Sequence, residues 1–170
     1  SLGIVMRGEP ELGGTELEGR PDVSDLALVG GDGSPVRLGD FAGRYLVVFF
    51  GYTNCPDVCP LTMSRLGSTY RSLGEPEGVQ VVMITVDPER DTPEQLARYA
   101  SDVRLDPARW TLLTAPDNTV LELAVLLGVE YRRISETDFS HTNVITVLDQ
   151  AGEIAHRQLG LGASPTRRWR

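Results

Sequence analysis

A hydrophobic run that ends in a cysteine loop constrains this 170-residue chain more than any other stretch. Residues 46–50, Leu-Val-Val-Phe-Phe, have the β-branched and aromatic content of a buried strand, and the run stops at Gly51. Both cysteines of the chain, Cys55 and Cys59, follow in a short loop. Pro60 then opens a segment with apolar residues at helical spacing, and proline suits a first helical position because its missing N–H would be unpaired there anyway. The sequence therefore predicts a strand that delivers two thiols to the N-terminus of a helix.

This placement predicts chemistry at the two cysteines. With Pro60 as the first helical residue, Cys59 would occupy the helix N-cap, where the positive end of the helix dipole favours a thiolate. The alternative is a structural disulfide, but a bridge across so small a loop would stabilise the fold by only about 2 kcal/mol in the loop-entropy model. A chain of 170 residues can bury a core without it. We therefore favour reversible redox chemistry, metal binding, or both.

The charge and composition of the chain exclude several classes of function. The formal net charge of −8 argues against nonspecific nucleic-acid binding and against docking on an anionic membrane. All 16 basic residues are arginine, which excludes lysine Schiff-base chemistry and a P-loop lysine. No stretch approaches the roughly 20 apolar residues needed to span a bilayer. Because the chain begins at Ser1 rather than Met, we expect the native protein to carry a signal or anchor segment before it.

Alternating strand and helix patterns predict the fold class. Residues 1–18 have the composition of a tail or linker, and residues 19–170 are expected to form one domain that opens with a β-hairpin around residues 30–34. The order of the later segments implies an α/β sandwich with a mixed sheet. The expected segments are a strand at 46–50, a helix from residue 60, a strand at 79–86, a helix at 93–101, a strand at 110–114, a helix at 118–127, and strands at 130–134, 143–149 and 154–158.

Three separated stretches resemble the Sco (SenC) family, thioredoxin-fold proteins that help to assemble cytochrome c oxidase. The first is residues 51–60, Gly-Tyr-Thr-Asn-Cys-Pro-Asp-Val-Cys-Pro, which match the family's C-x-x-x-C-P loop. The second is residues 86–93, Val-Asp-Pro-Glu-Arg-Asp-Thr-Pro, which are close to its D-P-x-R-D-T-P signature. The third is His141, followed by a hydrophobic strand and a turn at 149–152. The cysteine pattern alone is weak, but the three together, in this order, are specific and span residues 19–160.

The resemblance implies a thioredoxin-like sandwich whose mixed central sheet is flanked by helices, with the N-terminal β-hairpin as an extension. It also implies one copper ion per chain, as Cu(I) or Cu(II), bound by Cys55, Cys59 and His141. Two thiolates and an imidazole form a soft ligand set that suits Cu(I) and is compatible with Cu(II) or zinc. In such a sheet the strand after the His141 loop runs antiparallel beside the strand that leads to the cysteines. Many relatives have an acidic residue just before this histidine, whereas this chain has Ser140.

Less direct roles are expected for the other candidate residues. His156, the second of two histidines, lies most of a strand away and is expected at the surface or satisfied within the fold. Asp87 stands at the carboxyl end of its strand, where it could supply an outer-shell hydrogen bond, act as a weak oxygen ligand, or cap a loop. Arg90 and Asp91 are expected to pair with each other, and Met63 to be a core residue.

The resemblance implies two functions that one chain could combine. The first is a metallochaperone that delivers copper to the dinuclear copper site of cytochrome c oxidase subunit II. The second is a thiol–disulfide oxidoreductase that reduces the cysteines of that acceptor, with Cys55 and Cys59 as the catalytic pair and Cys55 as the attacking thiol. A peroxiredoxin-like peroxidase is disfavoured, because Thr53 lies two residues before Cys55 rather than three.

Partners and location follow from the same resemblance. Besides oxidase subunit II, the expected partners are a copper donor protein and a thioredoxin-like reductant. The expected location is extracytoplasmic and periplasmic, with the protein tethered to the outer face of a bacterial cytoplasmic membrane through an anchor that this chain does not contain.

Overall fold

The computed structural model describes residues 22–55 and 58–160, so the expected tail at residues 1–18 lies outside the described residues. The strands in this part of the chain are β1 (Leu28–Gly30), β2 (Pro35–Val36), β3 (Tyr45–Gly51), β4 (Val79–Thr85), β5 (Trp110–Thr114), β6 (Tyr131–Arg133), β7 (Phe139–His141), β8 (Val144–Leu148) and β9 (Ile154–Leu159). The α-helices are α1 (Val58–Ser72), α2 (Pro93–Asp102) and α3 (Asp117–Leu126), and short 3-10 helices form at Val23–Asp25 and Leu38–Phe41.

Seven of these strands form one mixed sheet in the order β2-β1-β5-β4-β3-β8-β9. β3, β4 and β5 are parallel, whereas β8 runs antiparallel to β3, and β9 runs antiparallel to β8. β1 and β2 form the predicted hairpin at one edge. Ile145 of β8 lies opposite Phe49 of β3, so the start of β8 lies beside the end of β3, as predicted.

Helices cover both faces of the sheet, because its central strands are apolar on both sides. Successive side chains of a strand point to opposite faces. Phe50 accordingly packs in the core layer that contains Leu123 of α3, and Phe49 packs in the layer that contains Met63 of α1 and Leu96 of α2. The predicted α/β sandwich and the core position of Met63 are confirmed.

Two local features differ from the prediction. Helix α1 begins at Val58, so Cys59 lies inside the first turn rather than at the N-cap. Pro60 is still tolerated there, because the first N–H groups of a helix have no intrahelical partner. His141 ends strand β7 instead of lying in a loop, and β7 pairs with β6 as a ribbon separate from the main sheet. No helix in the described part of the chain is both long and apolar enough to cross a membrane.

Candidate metal centre

The cysteine loop directly follows the carboxyl end of β3, a central strand of the sheet. Gly51 ends the strand, and the backbone N–H of Cys55 then donates to the carbonyl of Tyr52 at 3.1 Å, which closes a turn. A Cβ atom at Gly51 would lie only 3.0 Å from Cys59 Sγ and 3.2 Å from Met83 Sδ. Glycine therefore allows the strand to pass directly beside the thiol of Cys59.

The three residues proposed as copper ligands lie together. One ligand atom from each of Cys55, Cys59 and His141 falls within 4.8 Å of the other two. Cys59 Sγ lies 4.0 Å from His141 Nε2. No disulfide joins the two cysteines, whose exposed fractions are only 8% and 2%, and His141 is half-buried. The site is thus shielded by protein on the thiol side and reachable from solvent on the histidine side.

The helix N-terminus favours a thiolate at Cys55, not at Cys59. The backbone N–H of Cys59 donates to Cys55 Sγ at 3.3 Å, so the first turn of α1 presents its positive end to the sulfur of Cys55. The side-chain hydrogen bond with Cys55 raises the pKa of Cys59, and burial raises it further. The lowered pKa expected for Cys59 from the helix dipole is therefore wrong, because the donor groups of the helix point to the other sulfur.

The ring of His141 is oriented by a contact with the backbone of the next residue, Thr142. Its Nδ1 atom lies 3.4 Å from the carbonyl oxygen of Thr142, which can only accept a hydrogen bond. This contact favours a proton on Nδ1 and a free lone pair on Nε2, the nitrogen that faces Cys59. Metal-binding histidines commonly donate their second ring N–H to a carbonyl in this way.

The β6–β7 ribbon that carries His141 is attached to the cysteine loop by three hydrogen bonds. The hydroxyl of Tyr52 donates one of them, to the carbonyl of Phe139 at 3.4 Å. The backbone N–H of Phe139 donates to the hydroxyl of Tyr52 at 3.2 Å, and Asn54 Nδ2 donates to the carbonyl of Thr137 at 3.2 Å. Tyr52 also packs edge-on against the ring of Phe139. No role was predicted for Tyr52 or Asn54, although both lie inside the matched cysteine motif.

The acidic residues of the second motif act on the loops around the site. Asp91 is buried and accepts hydrogen bonds from the Thr53 N–H at 3.0 Å, from Thr53 Oγ1 at 2.6 Å and from Thr85 Oγ1 at 2.6 Å. It thereby joins the cysteine loop to the end of β4. Arg90 Nε instead lies 3.9 Å from Asp87, so the expected pairing of Arg90 with Asp91 is wrong.

Asp87 is fully buried and lies outside the Cys-Cys-His group. Its backbone carbonyl accepts from the N–H groups of Arg90 and Asp91, so it does shape the loop. Within the described residues, neither of its carboxylate oxygens has a hydrogen-bond partner. His156 lies on β9 opposite Val147, away from the thiols, as expected.

Similarity to known proteins shows the family to which the chain belongs. A family model described as SCO1/SenC matches residues 15–161, most of the 170-residue chain. The chain belongs to the SCO1/SenC family. A relative from Stutzerimonas stutzeri, named as copper-binding, is 33% identical over 138 residues, which are 78% of this chain and 66% of that protein. The chain spans only 25–32% of the mitochondrial SCO2 homologues of mouse, human and cattle that it also matches.

Solved structures of Sco proteins share the fold of this chain. ScoI of Bradyrhizobium japonicum, solved with copper bound, has a TM-score of 0.71 at 27% identity over 81% of this chain and 88% of its own. The apo Sco1 protein of Thermus thermophilus has a TM-score of 0.66 at 38% identity over 85% of each chain. The predicted thioredoxin-like fold is confirmed. Sco proteins are described as a family of cytochrome c oxidase assembly proteins.

Proposed function

We propose that this protein is an extracytoplasmic copper-binding assembly factor that delivers copper to the dinuclear site of cytochrome c oxidase subunit II. The observation that carries the proposal is the convergence of Cys55 and Cys59, from the junction of the cysteine loop and α1, with His141 from the distant β6–β7 ribbon. The copper bound to a Sco relative of the same fold supports this choice of metal.

The chemistry of the three donors suits copper as a transferable cargo. Thiolate and imidazole donors lie about 2.0–2.3 Å from a bound metal, which places three such donors roughly 3.5–4 Å apart. The 4.0 Å between Cys59 Sγ and His141 Nε2 fits that spacing with little movement. Because Cys59 has a raised pKa in the metal-free protein, copper must displace its proton, and binding is expected to release protons and to strengthen as the pH rises.

A second function, thiol–disulfide exchange, is favoured by the proximity of the two cysteines, whose sulfur atoms lie within 4.8 Å of each other and are not joined by a disulfide. In that reaction the Cys55 thiolate attacks a disulfide of the acceptor and forms a mixed disulfide. Cys59 then attacks Cys55 Sγ, which leaves two thiols on the acceptor and a Cys55–Cys59 disulfide here. A thioredoxin-like reductant would supply the two electrons that restore the dithiol, and a donor protein would supply copper for the first function.

A copper titration of the reduced protein tests the metal proposal. We expect one copper per chain and, for Cu(II), an absorption band from charge transfer between thiolate and copper. Cys55→Ala should abolish tight stoichiometric binding. Met63→Leu is the matched control, because it removes a sulfur one turn from Cys59 that lies in the core and is not proposed as a ligand. Tight binding of one copper by Cys55→Ala would refute the assignment.

Copper delivery and thiol–disulfide exchange can be distinguished by preparing the acceptor in two oxidation states. The soluble copper domain of oxidase subunit II serves as the acceptor, with its cysteines either reduced or oxidised. Copper delivery predicts that the loaded protein metallates the reduced acceptor. Thiol exchange predicts that the metal-free dithiol reduces the oxidised acceptor and becomes a Cys55–Cys59 disulfide. Failure of both reactions would leave the protein with neither proposed role.

The proposal includes a location outside the cytoplasm and a membrane anchor preceding this chain. A protein that exchanges copper with subunit II must lie on the same side of the membrane as the copper site of subunit II, which the proposal places outside the cytoplasm. Fractionation of cells that express the full-length protein tests this, with release into the soluble cytoplasmic fraction as the contradicting result.

A further inference from the structure

The ribbon that carries His141 needs outside support to keep its position. β6 and β7 form a two-stranded sheet of three residue pairs that is not hydrogen-bonded into the main sheet. An isolated two-stranded ribbon is at best marginally stable in water. The position of the histidine relative to the thiols therefore depends on the contacts that fasten the ribbon to the rest of the molecule.

Arg133 makes several contacts at the end of the ribbon distant from His141. Its Nη2 atom lies 3.6 Å from Asp87 Oδ1 and 3.6 Å from Glu89 Oε2, both in the loop after β4. Its Nη1 atom donates to the carbonyl of Glu136 at 3.0 Å. Its guanidinium group also lies over the ring of Phe139, 4.9 Å from the centroid. One side chain thus connects both strands of the ribbon to the second motif.

The buried carboxylate of Asp87 makes this connection stronger than an ordinary surface ion pair. Asp87 is fully buried and its oxygens accept no hydrogen bond from the described residues, so the guanidinium groups of Arg133 and Arg90 are the positive charges that approach it. A charge shielded from water interacts more strongly with its partner than an exposed one. Glu89 is 81% exposed and adds little.

The Arg133 contacts lie close to His141 along the β6–β7 ribbon. Arg133 pairs with Phe139 across the ribbon, and Tyr131 pairs with His141. The second pair lies two residues from the first along each strand. Two residues of a strand span about 7 Å, so the histidine lies a short, hydrogen-bonded distance from the attachment. Tyr52 holds the same Phe139 from the cysteine side. The loop after β4 and the cysteine loop therefore hold the ribbon near Phe139, while its His141 end continues into β8 of the main sheet.

We propose that Arg133, anchored by buried Asp87, is a positioning residue that keeps His141 Nε2 beside the two thiols and thereby supports Cu(II) more than Cu(I). This inference rests on the proposed copper function. Two thiolates alone can hold Cu(I), whereas Cu(II) needs the nitrogen ligand in place. Asp87 acts in this arrangement as the anchor of the ribbon and not as a copper ligand.

Arg133→Gln tests the proposal against Arg132→Gln. Arg132 is an exposed neighbour on the same strand, and no polar contact of its side chain is found in the part of the chain that the structure describes. We expect Arg133→Gln to lose about 10–100-fold in Cu(II) affinity, the range typical when a residue supporting a metal ligand is removed. Cu(I) affinity should change far less, and the Cys55–Cys59 reduction potential should not change. Arg132→Gln should match the parent protein.

Further variants separate positioning from loss of stability. Asp87→Asn removes the anchor and should reproduce the Cu(II) loss, and the double variant should lose no more than either single one, because both act on one interaction. Arg133→Lys keeps the charge and should recover part of the affinity. In the metal-free protein, the Phe139 amide should exchange its hydrogen faster in Arg133→Gln than in Arg132→Gln. The thiolate-to-copper band should shift in Arg133→Gln and in Asp87→Asn but not in Arg132→Gln.

The outcomes that overturn the inference are distinct from those that overturn the copper function. If the parent protein and Arg132→Gln bind no copper, the proposed function fails. If both bind Cu(II) and Arg133→Gln binds it with the same affinity and spectrum, only the role of Arg133 fails. An equal loss of Cu(I) and Cu(II) in Arg133→Gln and in Asp87→Asn would also overturn that role, because it would indicate general destabilisation.

Discussion

At the scale of single residues, the two cysteines differ in what surrounds their sulfur atoms. Cys55 Sγ accepts the N–H of Cys59 at the start of α1, whereas Cys59 is almost fully buried beside Gly51 and has a raised pKa. The same short motif therefore produces one thiol suited to attack and one suited to follow. Sequence spacing alone predicted the opposite effect of the helix.

The two thiols should differ in reactivity. In Cys59→Ser the remaining Cys55 should be alkylated about tenfold or more faster at neutral pH than Cys59 is in Cys55→Ser, because only Cys55 receives the helix N–H. Alkylation rates against pH measure this, and equal rates in denaturant serve as the control. Two titrations near the unperturbed value of ~8.5 would contradict the prediction.

The two histidines should differ in their effect on copper. His141→Ala should reduce Cu(II) affinity by more than the roughly 10–100-fold typical of a supporting residue, while Cu(I) affinity falls much less and the disulfide still forms. His156→Ala is the matched control, since His156 lies on β9 away from the thiols. Loss of Cu(II) binding in the control but not in His141→Ala would show that the ligand assignment is wrong.

Asp87 should make stability fall with rising pH. Burial raises the pKa of Asp87 above its ordinary value of 3.8, the charge of Asp91 adds to this, and Arg90 and Arg133 offset only part of it. At pH values between the ordinary pKa and the raised pKa of the folded state, the folded state binds more protons than the unfolded state. The free energy of unfolding therefore decreases as the pH rises through this range. Denaturation of the metal-free protein against pH should show a smaller decrease for Asp87→Asn. Exposed Glu89→Gln should behave like the parent, and an unchanged slope in Asp87→Asn would contradict the prediction.

At the scale of elements, the site depends on how closely β3 and α1 approach each other. Cys59 belongs to the first turn of α1, yet its sulfur lies against the last residue of β3. A buried strand and a helix can be this close only where one of them has no side chain. The junction between strand and helix therefore sets the position of one ligand.

Gly51→Ala should disturb that junction. Its Cβ atom would lie 3.0 Å from Cys59 Sγ, and such overpacking typically costs about 1–3 kcal/mol in the free energy of unfolding. Copper affinity should fall as the thiol is displaced. Gly67→Ala is the control, because a Cβ there meets only side-chain atoms at 3.4 Å or more and alanine favours the helix. Denaturant unfolding and copper titration of both variants measure this, and unchanged copper binding in Gly51→Ala would contradict it.

At the scale of the whole molecule, one edge of the sheet collects the functional groups. β3 and β4 are parallel, so the cysteine loop and the loop after β4 meet at their carboxyl ends. The antiparallel β8 begins at the same edge, and the ribbon before it reaches the cysteines.

Deletion of residues 1–18 should leave the domain intact. We propose the boundary between residues 18 and 19 because residues 1–18 have the glycine-, glutamate- and proline-rich composition of a tail or linker. The melting temperature should stay within about 2 °C of the parent value, since a change of 1 kcal/mol would shift it by a few degrees in a domain of this size. Copper stoichiometry should also be unchanged. A clearly lower melting temperature would place part of the deleted segment in the fold.

The sequence by itself determined the features that depend on local patterns. The apolar runs predicted the central strands, and the helix predicted at 93–101 forms as α2, where the Thr92 side chain accepts the N–H of Gln95. The resemblance to the Sco family, which three motifs carry, also pointed to the two cysteines and His141 as ligands. Local hydrogen bonding and hydrophobic periodicity are properties of neighbouring residues, so both are readable along the chain.

Only the tertiary structure decided which sulfur receives the helix N–H, what pairs with Asp87, and how His141 is held. Strand β7 is short and mostly polar, so no hydrophobic alternation along the sequence marked it as a strand. Arg133 meets Asp87 across 46 positions of sequence, a contact that no local pattern encodes. Such contacts form because the sheet brings distant loops to one edge. The site is therefore assembled by long-range packing from parts that the sequence specifies one at a time.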